Sequence, residues 1–102
     1  MENNELDLIM GIGPEIPLSA DIKKKLRVGT IKQIKDVGEL YRDGLLKIKF
    51  AIQQSDPEKV EEQIGKWVEI LNLIFIEGFT REEFDDSIPE QMEATVDRFL
   101  FA

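Results

Sequence analysis

The stretch from Asp56 to Gly78 constrains this chain more than any other. Asp56-Pro57 marks a helix start. An aspartate carboxylate accepts a first-turn N–H, and proline suits the first helical position because it has no N–H to leave unpaired. Glu58, Glu61 and Glu62 suit the positive end of the helix dipole. Val60, Ile64, Trp67, Val68, Leu71 and Phe75 then recur every three or four residues, one stripe of an α-helix. Ile70, Leu73, Ile74 and Ile76 widen that stripe until the helix end is apolar almost all round. Such a helix is covered on every side, by its own chain or by a contact. Gly78 fits the left-handed residue that commonly stops a helix.

The chain has 102 residues, enough for one domain, and 42% of them are apolar. Upstream, Thr30 is a helix N-cap, followed by Ile31, Ile34, Val37, Tyr41, Leu45, Ile48 and Ile52 at helical spacing. Gly38 and Gly44 interrupt this pattern; each costs about 1 kcal/mol relative to alanine, so a kink or break is expected there. Downstream, Thr80-Arg81-Glu82-Glu83 is a capping box that opens a short helix. Ser87-Ile88-Pro89-Glu90 reads as a second box, opening a last helix with Met92, Val96, Phe99 and Leu100. Ile22 to Val28 reads as a short strand, with a helical turn as the alternative. Residues 1–20 read as an irregular N-terminal arm: Leu6, Leu8, Ile9 and Met10 form an apolar cluster, and Gly11, Gly13, Pro14 and Pro17 break regular structure. The expected fold is mainly α, a single small domain over 21–102 with three to four helices and a short strand or hairpin near residues 15–28.

The chain carries 21 acids against 13 bases and no histidine, a net charge of −8. Residues 21–49 hold nine bases and four acids, whereas 55–102 hold thirteen acids and four bases. Folding these segments against each other would neutralise part of both. The acidic balance repels phosphate backbones, so nucleic acid is not an expected ligand. Lacking cysteine as well as histidine, the chain has neither disulfides nor the commonest zinc ligands, and no Ser-His-Asp or Cys-His nucleophile. Gly11-Ile12-Gly13 is not a dinucleotide fingerprint, because Ile16 stands where the third glycine belongs. Glu82, Glu83, Asp85 and Asp86 lack the alternating spacing of a calcium loop and read as helix-start charge. No catalytic, cofactor or metal residue is assigned, and the expectation is a binding protein, not an enzyme. The longest apolar run, Ile70 to Ile76, is far below the roughly 20 residues of a membrane span, and the acidic start is unlike a secretory signal. A cytoplasmic protein is expected.

The layout resembles the small tail assembly chaperones of long-tailed bacteriophages, over about residues 22–102. A basic strand-like stretch, Ile22 to Val28, leads into the helix start Thr30-Ile31-Lys32-Gln33-Ile34. The closing pattern runs Gly78-Phe79-Thr80-Arg81-Glu82-Glu83-Phe84-Asp85, then Ile88-Pro89 and a helix ending Val96-Asp97-Arg98-Phe99-Leu100. Met1–Gly13 lies outside the resemblance. The resemblance implies a non-catalytic protein of the bacterial host cytoplasm that binds the tape measure protein and helps recruit tail-tube protein. It also implies a longer second product made by ribosomal frameshifting.

On this reading a helical partner would lie in an apolar groove between the Trp67 helix and the last helix, lined by Trp67, Leu71, Phe75, Phe99 and Phe101. Two other readings stand beside it: a small acidic adaptor or inhibitor of a basic regulatory protein, and a structural phage head–tail protein. The sequence leaves the oligomeric state open, a homo-oligomer included.

Overall fold

The computed structural model describes residues 11–101. It is mainly α, with five helices and one antiparallel hairpin. Strand β1 (Ile12–Pro17) pairs with β2 (Lys23–Arg27), Ile12 opposite Arg27 and Pro17 opposite Lys23, with a register irregularity between Ile12 and Glu15. The arm expected to be irregular over 1–20 is therefore strand from Ile12 to Pro17; its apolar cluster, Leu6 to Met10, lies outside the described residues. Pro14 and Pro17 fit within β1 because it is an edge strand, where a missing N–H breaks no second ladder. The Ser19 hydroxyl accepts the N–H groups of Asp21 and Ile22 at the turn (3.4 and 3.2 Å), and Leu18 beside it is fully buried.

Thr30 starts α1 (Ile31–Arg42) with a complete capping box: its hydroxyl accepts the Gln33 N–H (3.2 Å) and the Gln33 side chain accepts the Thr30 N–H (2.8 Å). Helix α1 runs straight through Gly38 and stops before Gly44, whose φ of +68° no β-carbon residue adopts cheaply. The single-turn α2 (Ile48–Ile52) follows. Its own N-cap makes no side-chain hydrogen bond; instead Glu93, from the last helix, accepts the Ile48 N–H at 2.7 Å. This carboxylate also faces the positive end of the α2 dipole.

Helix α3 (Pro57–Ile74) starts where expected, with Asp56 accepting the Glu58 N–H at 3.0 Å. It ends earlier than Gly78 suggests. Phe75 leaves the helix in an extended conformation, fully buried, and bridges Leu26; the Ile76 N–H donates to the Lys25 carbonyl at 3.0 Å. Pairing with β2 thus replaces the next helical turn. Gly78, at φ +78°, serves the turn that follows, where the Asn72 side chain accepts the Phe79 N–H at 2.9 Å.

Thr80 and Glu83 form the expected capping box of α4 (Arg81–Asp85), with bonds of 3.2 and 3.1 Å. The box expected at Ser87–Glu90 does not form. The Ser87 hydroxyl is buried and donates to the Glu83 carbonyl at 2.6 Å, completing the end of α4. Helix α5 (Pro89–Phe101) instead closes its first turn on the Ile88 carbonyl, and Pro89 removes one of the N–H groups a cap would have to satisfy. Its start is tied to the hairpin: the Ile88 N–H donates to the Leu18 carbonyl (2.8 Å) and the Gln91 amide to the Pro17 carbonyl (3.1 Å). The helix count exceeds the expected three to four because the break at Gly44 makes α2 a separate element.

The buried ends of α3 and β2 generate two predictions. Phe75→Ala should lower the unfolding free energy by about 3–5 kcal/mol in chemical denaturation, because the cavity would lie at the helix–sheet junction. Glu83 carries the second. Burial raises its carboxyl, but Lys24 at 2.8 Å and the Thr80 N–H outweigh that and hold it below its ordinary 4.5. A depressed folded value stabilises the fold at neutral pH, and this contribution disappears as pH falls below 4.5 through the folded value. Stability measured from about pH 7 to about pH 3 should therefore fall less steeply in Glu83→Gln than in the parent, from a lower starting point.

Candidate partner-binding surface

Of the five residues expected to line a groove, the fold absorbs four. Leu71 and Phe75 are 0% exposed, Trp67 3% and Phe99 9%. Helices α3 and α5 pack against each other, so the groove expected between them is closed by the chain's own core. Trp67 has a further duty: its indole N–H donates to the Leu46 carbonyl at 2.8 Å. Gln63 and Lys66, on the same stretch of α3, donate to the carbonyls of Gly44 (3.0 Å) and Asp43 (2.9 Å). Together they staple the loop between α1 and α2 to α3. Phe75 lies against Phe79, ring centroids 5.8 Å apart. Only Phe101 remains open, at 74% exposure.

Phe101 belongs to a different surface, a notch of about 290 Å³ between α1 and the end of α5. Ile34, Gly38 and Tyr41 of α1 and Leu100 and Phe101 of α5 line it, with Lys35 and Arg42 also on its wall. Ile31, one turn before Lys35, is 81% exposed and extends the same face of α1. The Phe101 ring meets Tyr41 edge-on, centroids 6.0 Å apart at 76°. The Tyr41 hydroxyl donates to Asp97 at 3.0 Å, which fixes the ring in the wall. Burial, and then the neighbouring Asp97 carboxylate, raise the Tyr41 phenol above its ordinary value, so it stays a neutral donor at physiological pH. The notch can therefore take an apolar side chain on an aromatic floor and a carboxylate or carbonyl against its two cations.

Two of the four acids read as helix-start charge make side-chain bonds: Glu83 caps α4 and meets Lys24, while Asp85 meets Arg81 at 3.1 Å. Arg81 also bonds Glu61 of α3 at 2.7 Å. Among the described residues, no three His, Cys, Asp or Glu side chains are grouped as they would be around a metal ion, and no helix is long and apolar enough to cross a membrane.

Sequence reasoning missed Ile31 and Ile34 as surface candidates. Ile31 and Ile34 belong to the apolar stripe of α1, and periodicity does not tell which members of a stripe overhang the core. The one local signal was Ile31 directly after the cap, at a helix end where cover from neighbours is thinnest. No family model, curated protein or solved structure matches the chain.

Gly38 sits in the middle of α1 at the base of the notch. The nearest side chain a β-carbon there would meet is the Arg42 guanidinium, at 3.5 Å, an ordinary contact with a movable group. Gly38→Ala should therefore raise the unfolding free energy by about 0.5–1 kcal/mol in denaturant titration.

Proposed function

We propose that this protein is a non-catalytic binding protein that holds an apolar helical segment of another protein in the notch between α1 and α5. One observation carries the reading: two large apolar side chains, Ile31 and Phe101, stand 81% and 74% exposed beside a notch with apolar walls. Exposed apolar surface of this kind marks interaction sites. An amphipathic helix laid in such a groove anchors through side chains three and four residues apart.

The resemblance to phage tail assembly chaperones supplies the partner: the long, aggregation-prone tape measure protein, with tail-tube protein recruited in the same assembly. The order of elements supports it, a basic strand leading through a Thr cap into an amphipathic helix, and a capped acidic turn before a terminal apolar helix. Such a protein works in the host cytoplasm.

Co-expression with tape measure segments, followed by affinity measurement on the captured pair, tests this. Ile31→Glu and Phe101→Glu place a charge where the partner's apolar side chains would sit. Each should weaken binding at least about tenfold while leaving the thermal midpoint nearly unchanged, since both side chains are exposed. Unchanged affinity in a folded double variant would sink the notch. A charge at Phe75 cannot serve here, because it would break the core.

A further inference from the structure

The opposite flank of α1 has the reverse character. Between α1 and α3 lies an open cleft of about 700 Å³, and its walls carry Asp36, Glu39, Asp43 and Glu69 against the single base Arg42. It shares Asp36 and Leu73 with a smaller hollow of about 250 Å³ that continues toward Arg27 of β2, so the two form one trench. Leu40 and Leu73 give the trench an apolar floor, Leu73 being 43% exposed. Among the described residues, Asp36, Glu39 and Glu69 meet no cation within 4.0 Å, whereas Asp43 has the Lys66 ammonium 2.9 Å from its carbonyl and 3.9 Å from its carboxylate. At the far end of the trench Arg27 donates to the Leu73 carbonyl at 3.3 Å and meets the negative end of the α3 dipole, so the field of the trench comes from its carboxylates.

We infer that this trench docks a basic amphipathic helix of a partner protein. Asp36 and Glu39 stand three residues apart on α1, and Asp43 follows at the residue that ends the helix. A partner helix with lysine or arginine at the same spacing matches them, while its apolar side chains cover Leu40 and Leu73. Charge selects the occupant. A second copy of this chain brings another −8 and is repelled, as are nucleic acid and an anionic membrane surface. The trench and the α1–α5 notch share only Arg42 among their lining residues, so this inference does not rest on the notch.

The test uses the full chain and labelled helical peptides of about 14 residues, one built of leucine and lysine and its counterpart of leucine and glutamate, followed by fluorescence anisotropy. The leucine–lysine peptide should bind, and more weakly at about 300 mM than at about 50 mM salt. A variant carrying Asp36→Asn, Glu39→Gln, Asp43→Asn and Glu69→Gln should lose at least about tenfold in affinity. A control neutralised equally at Asp21, Glu58, Glu82 and Asp86, all exposed and outside the trench, should stay within about twofold of the parent. Leu73→Asn should weaken binding severalfold without changing the salt dependence. Equal losses in the two neutralised variants would reduce the effect to general charge attraction and overturn the inference. Equal binding of the leucine–glutamate peptide would do the same. So would amide shift changes confined to Ile31, Ile34 and Phe101, or self-association that Leu73→Asn abolishes.

Discussion

Covering the apolar end of α3 is the constraint to which every other element answers. Ile70, Leu71, Ile74 and Phe75 have no exposed surface, and α1, α2, α4 and α5 all contact the helix that carries them. The hairpin closes the remaining side through the Leu26–Phe75 bridge and the Ile76 to Lys25 hydrogen bond. Arg27 adds a bond from its side chain to the Leu73 carbonyl at 3.3 Å, giving the end of α3 the cation its own last turn lacks. Each large apolar side chain removed from water contributes roughly 1.5–3 kcal/mol, so a domain of this size depends on few of them.

Charge segregation along the chain becomes contact between elements. Lys24 of the hairpin meets Glu83 at 2.8 Å, and Lys49 of α2 meets Glu90 at 2.6 Å, so the basic and acidic segments neutralise each other in part. What is left over is uneven. Helix α1 turns Lys35 toward α5 and Asp36 and Glu39 toward α3, with Arg42 bordering both and Asp43 following at the helix end. One helix thus borders two surfaces of unlike chemistry, one aromatic and cationic, the other acidic with a leucine floor. A partner that used both would be selected by charge as well as by shape.

Several features were legible residue by residue. The caps at Thr30, Asp56 and Thr80 work through side chains two or three residues from the N–H groups they satisfy, so a local pattern suffices to find them. The break at Gly44 is local for the same reason, being a matter of backbone φ. The cap at Ser87 shows the limit of such patterns: the serine is present, but its hydroxyl serves the end of α4, and Pro89 lowers the need for a cap. Likewise the end of α3 lies at Ile74 because β2 offers Phe75 and Ile76 a strand to pair with, a neighbour some fifty residues earlier in the chain.

The sequence by itself determined that this chain is mainly helical, that three of its helices begin at named caps, and that the stripe through Ile70, Leu71, Ile74 and Phe75 must be covered; Leu73, in the same run, stays 43% exposed. Only the tertiary structure decided what covers it. Periodicity marks which side chains are apolar; it does not say whether a chain's own helices or a partner will lie on them. Trp67, Leu71, Phe75 and Phe99 went to the core because α5 and the hairpin reach them. Phe101 and Ile31 stayed outside because both lie at helix ends, beyond the last neighbour that could bury them.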